Sequence, residues 1–149
     1  MIPFYDFINQ RVDPDKINLG LAHGIPSILK FCVQCFKQGI CPDKTSQLAN
    51  EIIAYLLDNM NREIHSSYFP NFIEEGRNAD QSSRVAWCYG DLGVGYILYQ
   101  AGVAFKKTDL TDLALQILRH SAKRKKGGGC GRGVGRATGN FLLPGGNNG

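Results

Sequence analysis

One helix-forming pattern occurs twice in this chain, 69 residues apart. GIPSILKFCVQCFK (24–37) superposes on GVGYILYQAGVAFK (93–106), matching Gly24 with Gly93, Ile28 with Ile97, Leu29 with Leu98, Phe36 with Phe105 and Lys37 with Lys106. The segments that follow align at a shift of 65: Leu48 with Leu113, Ala49 with Ala114, Ile52 with Ile117. Each unit reads as a glycine turn, a helix, a short loop and a second helix. A helical hairpin of this kind cannot bury both its faces alone and must stack on neighbours. Two copies are too few to close an array, so the pattern predicts part of a larger ring or solenoid.

The hydropathy pattern gives the faces. Ile25, Ile28, Leu29, Cys32, Cys35 and Phe36 follow the i, i+3, i+4, i+7 spacing of an apolar stripe, as do Leu48, Ile52, Tyr55 and Leu56. Val94, Ile97, Leu98, Ala101, Ala104 and Phe105 repeat the first stripe, and Leu110, Leu113, Ala114, Ile117 and Leu118 repeat the second. No segment alternates convincingly with period two, and the expected class is all-α. Cys32 and Cys35 form a CxxC, but both lie on the first stripe with no βαβ context and no second pair. They read as core residues.

With 43% apolar residues in 149, the chain can build a core without disulfides or a metal. Five cysteines, an odd number, fit a reducing compartment. No run approaches the roughly 20 apolar residues needed to span a bilayer. Cytoplasmic localisation without membrane insertion is therefore expected. Charge is unevenly spread: residues 1–118 carry a net of −3 and residues 119–149 a net of +7. Ten of the 18 glycines also fall in that final stretch. Such a composition cannot offset its ordering entropy, and a basic, glycine-rich disordered tail is expected over 123–149. The KRKK run at Lys123–Lys126 suggests nucleic acid by charge alone, without the interleaved aromatic residues that stack on bases. No nucleic-acid partner is expected.

The candidate chemistry lies at the glycine turns. The first N–H groups of a helix are unpaired and make an electropositive rim. In the first unit that rim carries Gly20-Leu21-Ala22-His23-Gly24; in the second it carries Trp87-Cys88-Tyr89-Gly90-Asp91, within RVAWCYGDLGVG (84–95). If both turns occupy one end of the helices, His23 and Cys88 face a common opening. Asp91 is expected as the N-cap of the helix it precedes. His65 and His120 lie outside any motif.

The strings NLGLAHGIPSIL (18–29) and SRVAWCYGDLGVGYIL (83–98), with Phe69-Pro70 between them, resemble the lanthionine synthetase C-like cyclases in order and spacing. The resemblance runs from about Asn18 to about Leu118, roughly the C-terminal half of such an enzyme. It implies a partial (α/α) toroid over 18–122, with hairpins 18–61 and 84–122, an extended connection 62–83 and a lead-in 1–17. It further implies zinc-dependent addition of a peptide cysteine to dehydroalanine or dehydrobutyrine, forming lanthionine or methyllanthionine. The implied partners are a dehydrated precursor peptide and a cognate dehydratase.

Residue by residue, Cys88 matches the family's first zinc ligand and His23 its acid/base histidine. Arg84 and Tyr89 match active-site positions that stabilise developing negative charge or orient the histidine. The family draws its other two zinc ligands from an adjacent Cys-His pair at the start of the next hairpin. No Cys-His pair occurs here, and Cys130 is followed by Gly131. The composition changes where the family pattern fails, which points to a truncated or frameshifted reading after about Leu118 and an incomplete zinc site. Two other functions fit the helical pattern: a non-catalytic repeat that binds a peptide on its rim, and a toroidal glycosidase-like enzyme with Asp91 as one of two carboxylates.

Overall fold

A computed structural model describes residues 3–6 as backbone, and residues 10–61, 66–74, 82–83 and 85–124 in full. Four helices form two hairpins. The first pairs α1 (Ile25–Lys37) with α2 (Pro42–Asp58), and the second pairs α3 (Asp91–Ala104) with α4 (Thr108–Lys123). The hairpins join through α1 against α3. The mainly helical class and the toroid-type hairpin pair are as the repeat and the resemblance predict.

The stripes meet in one core. Leu29, Cys32 and Val33 of α1, Ala49, Ile52, Ile53 and Leu56 of α2, Val94, Ile97, Leu98 and Ala101 of α3, and Leu110, Ala114 and Ile117 of α4 are all buried. Helix α3 is enclosed on most sides, and its glycines are the reason. A β-carbon on Gly95 would sit 3.1 Å from Ile117, and one on Gly102 would meet the Thr111 hydroxyl at 2.4 Å. Bare backbone here lets α4 approach closely. On α2 the stripe is rotated from its expected position: Leu48 is 44% exposed, while Ile53, five residues further on, is buried.

A small antiparallel sheet, of order β1 (Pro3–Asp6), β2 (Arg11–Asn18), β3 (Phe72–Glu74), adds to the helices. The hydropathy pattern gives no sign of it because β2, RVDPDKIN, buries only Asn18. The pairing is made by backbone groups, with Ile17 opposite Ile73 and Asn18 opposite Phe72. Its consequence is positional: β2 and β3 deliver the chain to the first glycine turn, where Leu19 N–H donates to Asn71 O at 3.1 Å.

Candidate functional site

The two glycine turns have the same local geometry. A β-carbon on Gly24 would lie 2.3 Å from Asn18 O, and one on Gly93 would lie 2.3 Å from Trp87 O. Asn18 and Trp87 are themselves 69 residues apart, the spacing of the repeat. Each turn therefore curls back over its own helix start so tightly that only glycine fits. In the first turn the Asn18 side-chain oxygen accepts from Gly20 N–H at 2.7 Å and Gly20 O accepts from Gly24 N–H at 2.8 Å. In the second, Gly90 caps α3 with φ of +85°, a left-handed conformation suited to glycine.

The turns also interlock. A β-carbon on Gly20 would lie 2.5 Å from Cys88 O and 2.8 Å from the Tyr89 ring, while Leu21 packs on Gly93. Tyr89 is half-buried in this contact, whereas His23 and Cys88 are exposed, Cys88 as a free thiol. Trp87 is 49% exposed and lies against Tyr96 with ring centroids 4.9 Å apart. The chain thus brings the His23 turn and the Cys88 turn into direct contact, with apolar Trp87 beside the thiol. Arg84 and Cys130 lie outside the described residues, as do His65 and the tail from residue 125.

Beneath the second turn is a buried polar cluster. Asp91 has no exposed surface and is the first residue of α3, not its cap: Gly90 takes the capping position, and the Asp91 side chain turns inward. Its Oδ1 accepts from Phe69 N–H at 2.9 Å. Its Oδ2 faces Arg124 Nη1 at 3.6 Å and His120 Nδ1 at 3.9 Å. Burial pushes the Asp91 carboxyl above the ordinary carboxylate range, and backbone hydrogen bonds from Phe69 and Tyr68, with the Arg124 and His120 charges, offset part of that rise. His120 also meets Tyr68 edge to face at 5.2 Å. Arg124 falls one residue past α4, inside the stretch expected as tail, yet it is docked here. Neither His120 nor Arg124 has a spacing signal in the sequence, because their partners lie far away in the chain.

Residues 6–131 match the model of the lanthionine synthetase C-like protein family. The chain belongs to that family. This LanC-like match takes in the whole of α4, which ends at Lys123. Among solved structures, the LanC-like chain is similar to one titled "Nisin cyclase", with a TM-score of 0.65 and 22% sequence identity; the match covers 75% of this chain and 30% of that one. The LanC-like chain thus spans under a third of that protein's length. No curated protein matches it significantly by sequence.

Catalytic zinc takes three protein ligands and one open position. Among the described residues of this LanC-like chain, no group of three or more His, Cys, Asp or Glu side chains could hold a metal ion. The donors described there do not fit such a centre. Cys32 and Cys35 are buried in α1, with the Cys32 thiol pushed up by burial and by Cys35 beside it, as core residues are. Asp91 does not suit a glycosidase carboxylate: it is fully buried and already accepts from Phe69, so it cannot meet a sugar. No described helix is long and apolar enough to cross a membrane.

Proposed function

We propose that the chain is a lanthipeptide cyclase component that binds a dehydrated precursor peptide across its two interlocked glycine turns. The observation that carries this reading is the contact of Gly20 with Cys88 and Tyr89, which makes one surface of the two strings that resemble the cyclases. Exposed Trp87 and Val85 offer apolar area for the peptide next to the polar groups.

The reaction at such a surface is conjugate addition. The sulfur of a peptide cysteine thiolate bonds to the β-carbon of dehydroalanine or dehydrobutyrine, the double-bond electrons move to the α-carbon and carbonyl, and the resulting enolate takes up a proton at the α-carbon. His23 is assigned as the donor of that proton. Tyr89 and Arg84 are assigned to the developing enolate charge, and Cys88 to the metal-ligand position of the family. A cognate dehydratase supplies the dehydroamino acids. Since the described donors do not complete a zinc centre, no step is assigned to zinc, and the same observation favours peptide binding with weak or no turnover by this chain alone.

The test is binding of a dye-labelled synthetic peptide containing one dehydroalanine and one cysteine, followed by the fluorescence anisotropy of the dye. Saturable binding, weakened in His23→Ala and Trp87→Ala, is expected. Ring closure leaves peptide mass unchanged but removes the thiol, so alkylation before mass measurement counts rings. Absence of saturable binding overturns the proposal. Metal analysis of the purified chain with Cys88→Ala as control is expected to give well under one zinc per chain; stoichiometric zinc lost in that variant would show that the zinc site is complete.

A further inference from the structure

Arg124 reaches both stems of the loop that carries Cys88. On the upstream side its Nη2 donates to the carbonyl of Ser83, and Ser83 N–H in turn donates to Ser67 Oγ at 2.8 Å. On the downstream side its Nη1 faces Asp91 Oδ2 at 3.6 Å. Ser83 lies five residues before Cys88 and Asp91 three residues after it. A guanidinium presents several donors in a fixed planar fork, so it can engage two acceptors at a set separation, which an ammonium on a flexible stem cannot do as well. The Asp91 and Ser83 side chains are 0% and 3% exposed, so neither stem can pair with solvent instead.

We propose that Arg124 is a positioning residue for Cys88, clamping the two stems of its loop so that Trp87, Cys88 and Tyr89 are held against the first glycine turn. Fixing both ends of a short loop restricts the conformations its tip can sample. The clamp residue is the first one beyond the end of α4. Asp91 serves the clamp from the other side: its second oxygen holds Phe69, which ties the 67–70 segment to the same point. A catalytic consequence rests on the cyclase reading above; the placement of Cys88 does not.

The experiment uses the full chain with Arg124→Gln, Arg124→Lys and, as a control, the exposed neighbour Lys123→Gln. Two readouts need no peptide: fluorescence anisotropy of Trp87, and alkylation of Cys88 by a bulky maleimide relative to Cys41, mapped by mass spectrometry. In Arg124→Gln, Trp87 anisotropy is expected to fall and the Cys88:Cys41 rate ratio to rise roughly fivefold, the factor set by loss of one modest interaction. Arg124→Lys is expected to recover part of both, and Lys123→Gln to match the parent. A lower melting temperature with both readouts unchanged would make Arg124 merely structural and overturn the proposal. So would a parallel rise at Cys41, which reports general loosening. Failure of the parent to bind peptide would sink the cyclase reading while leaving these two readouts to judge the clamp.

Discussion

Phe36 and Phe105 stack against each other with ring centroids 4.6 Å apart and planes tilted by 51°. Their numbers differ by 69, the shift that superposes the two helical units, so each unit contributes the same residue to one contact. The repeat is thus a packing device as well as a pattern: equivalent positions meet where α1 lies on α3. Both rings are half-buried, and Phe36→Ala or Phe105→Ala should each cost about 2 kcal/mol, below the range for fully buried aromatics. Because each removes the same contact, the double variant should cost about 1 kcal/mol less than the sum. Chemical denaturation of the four proteins checks this; simple additivity would show that the rings do not couple.

Gly24 and Gly93 are predicted to be intolerant for one reason and Gly39 for another. At the first two, an added β-carbon meets a carbonyl oxygen of the chain's own backbone at 2.3 Å, and nothing flexible is available to move aside. Gly24→Ala and Gly93→Ala should each destabilise by about 3 kcal/mol or more. Gly39 has φ of +70° but nothing within 4 Å of the β-carbon position, so Gly39→Ala carries only left-handed strain, about 1 kcal/mol. Denaturation midpoints in that order support the shared curl of the turns; equal losses at all three would contradict it.

What was legible in the sequence was what repeats or is periodic. Leu29 and Leu98, Ala49 and Ala114, Ile52 and Ile117 are matched in the alignment and buried in the fold. The stripe failed at Leu48, because spacing alone does not say which edge of an apolar face turns to solvent. The sheet leaves no hydropathy signal because β2 is a polar strand held by backbone pairing. Its place before a helix marks Asp91 as a cap; the chain instead uses Gly90 there, freeing the carboxylate for partners 22 and 33 positions away. Such long-range polar contacts leave no local signature. Arg124 illustrates this best, being indistinguishable by composition from the basic residues that follow it.

The buried carboxylate makes stability depend on pH in an unusual sense for an acid. Asp91 has its folded-state value raised above the ordinary 3.8, chiefly by burial, so between the two values the folded chain binds more protons than the unfolded one. Its favourable contribution is therefore full below the unfolded value and is lost as pH rises through the folded one. Asp91→Asn keeps an acceptor for Phe69 N–H without the buried charge. Relative to that variant, the parent should lose stability on going from about pH 3.5 toward neutrality. Urea titrations of both at several pH values test the sign; a parent that gained on the variant over that range would show that Arg124 and His120 outweigh burial.

Thiol reactivity should separate the cysteines by where the fold puts them. Cys41 and Cys88 are exposed, whereas Cys32 and Cys35 are buried in α1, the first with its thiol raised by burial. The nucleophile is the thiolate, so a buried thiol with a raised value reacts only when the helix opens. Under native conditions an alkylating reagent should modify Cys41 and Cys88 promptly, and Cys32 and Cys35 about a hundredfold more slowly or less, with the difference abolished in denaturant. Cys88→Ala should remove one fast site and leave the slow pair unchanged. Prompt labelling of Cys32 or Cys35 in the folded chain would mean that the CxxC is accessible, and its assignment to the core would fall.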